Sequence, residues 1–256
     1  MIELFEIVIP ALLAVLMVSA VHVPLGIEVL RRGIIFIDLA IAQIAGLGLL
    51  ITTQIFHLEG MVARSMGALL FALAASLFFS WIEKRYRAVQ EAVIGVSFVL
   101  AASVSILVLA NLPHGGDELK HLLSGQVLFV TYSQVLTNFP LLVGILAVWF
   151  WRPASRSGVA FYILFSLAIT VAVQLVGVYV VFSTLILPAL VVLGSSRPHL
   201  LGWSVSFVGV SFGVGCATWF DLPAGPVIVV PLAVVALVSR GLISLNRYPR
   251  SHGGHS

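Results

Sequence analysis

Charge is what this sequence has least of. Of its 256 residues, 9% are Asp, Glu, Lys or Arg, against roughly a quarter in a soluble domain. That scarcity excludes a soluble globular enzyme, a disordered chain and a nucleic-acid binder with a basic face. Cysteine is nearly absent as well. Cys216 stands alone in an apolar stretch, which excludes a disulfide framework and any cysteine-based metal cluster. There is no Gly-rich phosphate loop of the Walker type, so the chain does not itself hydrolyse nucleotide. Basic residues are missing from Met1 to Glu6, which carries Glu3 and Glu6. The first apolar run is therefore read as a structural span rather than a cleaved signal. Hydrophobic residues fill what remains, at 61%. The expectation is an all-α polytopic membrane protein.

A helix needs about 20 apolar residues to cross the hydrocarbon core. Reading between polar markers gives about nine spans, at roughly 7–27, 34–56, 61–82, 92–112, 135–151, 158–175, 177–194, 200–220 and 225–243. Residues 157–196 carry no formal charge. As a single helix they would be about twice the bilayer thickness, so the chain is expected to turn near Gln174 to Gly177. A second turn is expected at Asp221-Leu222-Pro223-Ala224-Gly225-Pro226, where two prolines and a glycine cannot continue a lipid-facing helix.

Lys and Arg set the orientation. With nine spans, one side holds Arg31, Arg32, Lys84, Arg85, Arg87, Arg152, Arg156, Arg197, Arg240, Arg247 and Arg250, and the other only Arg64 and Lys120. Eleven against two puts the N-terminus outside and the C-terminus in the cytoplasm. The net charge of +3 and pI near 9.4 reflect these loop arginines, not an acidic partner. The longest outer segment, Asn111 to Tyr132, contains a short amphipathic pattern over 117–123, expected to lie at the interface.

Ionisable groups within spans are expensive to bury, so each is a functional candidate. Asp38 lies about a turn and a half into span two, beside the small residues Ala42, Ala45 and Gly46, which permit close helix approach. Two readings fit it: a cation ligand lining a path, or a buried salt bridge to Arg31 or Arg32. Gln43 sits about 140° around the helix from Asp38 and suits interhelical hydrogen bonding or ion contact. Glu28 is expected to pair with Arg31 or Arg32. Glu91 opens span four, where a carboxylate suits a helix N-terminus. His22, His57, His114 and His121 share no spacing of a helical metal site. His252 and His255 form a weak metal-binding pattern in the tail. Gly209 and Gly213 read as packing residues.

Taken in order, five segments resemble the permease subunit of ABC transporters for zinc, manganese and iron. They are Val29-Leu30-Arg31-Arg32 with Phe36-Ile37-Asp38; Glu91-Ala92-Val93-Ile94-Gly95-Val96; 122–131; 176–189; and Asp221 to Pro226. The last two are the most specific. The resemblance implies a permease domain over 1–243 and a short cytoplasmic tail over 244–256, in the inner (plasma) membrane. It implies a pair of permease copies, cytoplasmic ATPase subunits and an external solute-binding protein as partners. Neither an enzymatic activity nor a cofactor is expected, the divalent metal being cargo. Asp38 and Gln43 are the implied metal ligands.

Two departures stand out. The family pattern in span two is Asp-x-x-x-His, but here the residue four after Asp38 is Ala42. A site without imidazole and rich in oxygen suits harder cations. The family also has an acidic cytoplasmic stretch between spans five and six that grips the ATPase. This chain has only Trp151 to Gly158. ATPase coupling is therefore expected at Arg152 and Arg156 of this short loop or at Arg85 and Arg87 of the preceding inner loop. The alternative function is a secondary carrier or accessory membrane protein on the same scaffold, without ATP coupling.

Overall fold

The turns separate the helices where backbone chemistry requires. Gly177 ends one helix and starts the next at φ 80°, a conformation open to glycine without a Cβ penalty. Asp221 closes another in the left-handed region, with Leu222 N–H donating to Ala217 O at 3.1 Å. Thr131 and Gln134 form a reciprocal capping box, which satisfies two free amides at a helix start.

The computed structural model describes residues 2–58, 60–109 and 127–247. The amphipathic segment over 117–123, with His114, and the His252/His255 tail lie outside them. The helices are α1 (Ile2–Arg32), α2 (Ile37–Leu50), α3 (Met61–Arg85), α4 (Gln90–Leu109), α5 (Tyr132–Trp151), α6 (Gly158–Val176), α7 (Val178–Val191), α8 (Pro198–Phe220) and α9 (Ala224–Arg247). No strand occurs among the described residues. After Leu50, α2 loosens into a wider π-turn over Ile51–Ile55, where Thr52 and Thr53 hydroxyls donate back to Gly48 O and Leu49 O.

Eight of these helices are long and apolar enough to cross a membrane. The exception is α7, whose 14 residues rise about 21 Å against a hydrocarbon core of about 30 Å. It is buried on nearly every side, from Val178 to Val191. The chain is thus all-α with eight to nine membrane-spanning helices. Arg240 of α9 completes the short helix: its Nη1 donates to Val191 O at 3.2 Å and Leu193 O at 3.0 Å. A guanidinium there serves carbonyls with no intrahelical partner and complements the negative helix end.

At the centre, α1 packs against α7, α8, α5 and α6. Close crossings rely on missing side chains. A Cβ on Gly48 of α2 would lie 2.7 Å from Gly67 O of α3, and one on Gly26 of α1 would strike Leu185 O of α7. Gly209 and Gly213 let α8 close on α9, against Leu232 and Ile228, so their role is packing within the chain. Cys216 is half-buried and free.

Candidate functional site

Asp38 stands in the first turn of α2 and is 1% exposed. Neither carboxylate oxygen has a hydrogen-bond partner. Asp38 lies at the positive end of its own helix, where Glu91 of α4 also reaches. Of the two readings of Asp38, the salt bridge to Arg31 or Arg32 is not formed. Arg31 Nη1 lies 3.1 Å from Glu28 Oε2. Arg32 binds Glu28 Oε1 through Nε at 3.0 Å and Glu83 Oε1 through Nη1 at 2.9 Å. Proximity in sequence suggested the pair. The end of α1 instead turns both guanidinium groups toward Glu28, as expected for Glu28, and Arg32 onward to α3.

Glu91 does more than open its own helix. Its Oε1 accepts Phe36 N–H at 3.2 Å, so a side chain from α4 caps the start of α2. Its Oε2 is buried and unpartnered. Sequence reading assigned Glu91 to its own helix terminus and missed the contact across 55 residues. The one available signal was an acid at the mouth of a span. Gln43 is buried on α2, as are Ala42 and Ala45. Among the described residues, no group of three or more His, Cys, Asp or Glu side chains comes together.

Arg32 is the hub of the basic side. Besides its two acids, its Nη2 donates to Arg156 O at 2.7 Å, and its guanidinium stands 4.0 Å from the Phe161 ring centroid. Arg156 in turn donates from Nε to Trp149 O at 3.0 Å and lies near the Trp149 and Phe150 rings. The short loop, a single tight turn over Pro153–Arg156, is thereby fastened to α1 and α5. Of the four arginines expected to couple to an ATPase, Arg85, Arg87 and Arg152 are exposed and Arg156 is half-buried.

His22 lies in the interior of α1, 1% exposed, with Nδ1 2.8 Å from Thr184 Oγ1 of α7. Thr184 itself donates to Val180 O at 2.7 Å. The hydroxyl oxygen therefore accepts from His22, and Nδ1 carries the proton.

A family model, described as the ABC 3 transport family, matches residues 4–242. The chain belongs to the ABC 3 transport family. It is the membrane-embedded, non-catalytic permease of an ABC transporter and a multi-pass protein of the inner membrane. Among curated relatives, the membrane protein ZnuB of a high-affinity zinc uptake system of Haemophilus influenzae is 23% identical over 260 residues, covering 92% of this chain and 97% of its own. The membrane protein MntC of a manganese transport system of Halalkalibacterium halodurans is 24% identical, covering 86% of this chain and 81% of its own. The solved structure of PsaBC from Streptococcus pneumoniae in complex with Fab superposes with a TM-score of 0.71. It is 20% identical and covers 93% of this chain and 94% of that one. At that identity the likeness is one of fold.

Proposed function

We propose that this ABC 3 permease moves a divalent metal ion, zinc, manganese or iron, powered by a separate ATPase chain. One observation carries the reading: Asp38 is a buried carboxylate with no countercharge, at the position where the family resemblance puts an acidic ligand. A carboxylate kept from water stays ionised only beside a cation. The description of its relatives as zinc and manganese systems supports a metal cargo. Gln43, on the same helix, contributes a neutral oxygen.

In this reading two copies stand side by side, with the ion path between them and a solute-binding protein feeding it from outside. Residues 1–243 are the permease domain and 244–256 a cytoplasmic tail. The eleven-to-two bias in Lys and Arg supports an outer N-terminus and an inner C-terminus. The ATPase docks on the inner face, where Arg85, Arg87 and Arg152 are exposed and Arg156 holds the short loop in shape. ATP-driven rocking then opens the site to either side in turn.

The test is metal accumulation in cells that express the chain with its ATPase and binding protein. Asp38→Asn keeps the shape and removes the charge. It is expected to abolish uptake while leaving membrane insertion and yield unchanged. Normal accumulation in that variant refutes the ion-path role.

A further inference from the structure

We propose that Glu91 of α4 is the second carboxylate of the cation site opened by Asp38, and that the all-oxygen donor set suits a hard divalent cation such as Mn2+ and lacks the imidazole that would favour Zn2+. The inference rests on the permease reading above. Three oxygens carry it: both of Asp38 and Oε2 of Glu91, each buried and without a hydrogen-bond partner. Their carboxylates belong to the first turns of two packed helices, and Glu91 reaches the start of α2 at Phe36, two residues before Asp38. Two carboxylates held together away from water remain ionised together only when a cation joins them; otherwise one keeps its proton.

The chain does not supply that cation. Arg31 is on Glu28, and Arg32 is on Glu28 and Glu83; among the described residues no salt bridge reaches Asp38 or Glu91. The Phe36 amide satisfies only Oε1 of Glu91. That bond fixes the carboxylate and leaves Oε2 as the free donor, as an outer hydrogen bond does for a metal ligand.

The donor chemistry bears on which ion is favoured. Zn2+ favours imidazole and thiolate in a tetrahedral set. One turn after Asp38, Ala42 offers a methyl group, and no cluster of His or Cys with these acids occurs among the described residues. Mn2+ accepts octahedral oxygen ligation. Two carboxylates supply part of that set.

The test uses the purified full-length chain in detergent, titrated with MnCl2, with free Mn2+ read from its electron paramagnetic resonance signal and Zn2+ added as competitor. Glu91→Gln keeps a carbonyl oxygen for Phe36 N–H and is expected to weaken Mn2+ binding about tenfold or more. Ala42→His restores an imidazole and is expected to improve Zn2+ competition by about tenfold. Thermal melting separates lost binding from misfolding. Where Glu91→Gln does not fold, Glu91→Asp retains the charge but withdraws it, and weakened Mn2+ binding is again expected. Unchanged Mn2+ binding in the Glu91 variants, with binding lost in Asp38→Asn, overturns the inference and leaves the permease reading standing. Unchanged binding in Asp38→Asn overturns that reading itself. A Zn2+ to Mn2+ preference unmoved by Ala42→His overturns the selectivity claim, and failure of the unaltered chain to bind Mn2+ overturns the site.

Discussion

Arg32 Nη1 lies 2.9 Å from Glu83 Oε1 and ties the end of α1 to the end of α3. The same guanidinium serves Glu28, the Arg156 carbonyl and the Phe161 ring. Arg32→Ala leaves two acids facing each other in a partly buried setting, and is expected to cost about 3 kcal/mol. Arg32→Lys should recover little of this, because an ammonium cannot reproduce the planar fork and the ring contact. Thermal unfolding of the detergent-solubilised protein measures both.

The crossing of α2 and α3 has no room for side chains. Gly67→Val is expected to push the helices apart at Gly48 and Thr52 and to destabilise the protein by about 1–3 kcal/mol. Since α2 also carries Asp38, metal uptake should fall more steeply than protein yield. Yield and uptake measured on the same membranes give the comparison, and equal losses would mean that the crossing only supports the fold.

Thr184→Val removes the acceptor of His22 Nδ1–H in the interior. An orphaned donor costs about 1–3 kcal/mol. Thr184→Ser keeps the hydroxyl and should keep the stability. A similar melting temperature for both variants would show that the bond contributes nothing.

Orientation is accessible to labelling. With Cys216 changed to Ser, a cysteine at His57 should react with an impermeant maleimide added outside intact cells. One at Ala154 should react only after the membrane is opened. Both positions are exposed, so the reverse pattern would invert the proposed topology.

Docking is tested by charge reversal. Arg85→Glu with Arg87→Glu should reduce co-purification with the ATPase while leaving the melting temperature unchanged, since both side chains are exposed. Undiminished co-purification would leave the 152–157 loop as the docking surface.

Span positions were legible because lipid demands long apolar runs, and the turns at Gly177 and Asp221 because their residues tolerate the required backbone. The shortness of α7 was not legible. It lies in an uncharged stretch with no marker of length, and the group that completes its end, Arg240, is 49 residues from Val191. Asp38 was readable as an acid in an apolar run. Its freedom from Arg31 and Arg32 was not, because partners chosen from α3 and from the start of α6 decide where Arg32 points. Glu91 carried an ambiguous signal: an acid at a helix start looks the same whether it caps its own helix or the next one.

Three of the arginines that mark the basic side also close it. Arg32 binds α3 and the short loop, Arg156 holds that loop to α5, and Arg240 completes α7. In the orientation proposed here, these are among the charges that direct insertion. A helix threaded the wrong way would strand its guanidinium groups on the far face and leave carbonyls and acids on the near face unanswered. Insertion and packing therefore test the same residues in succession, and assembly of the basic side proofreads the topology.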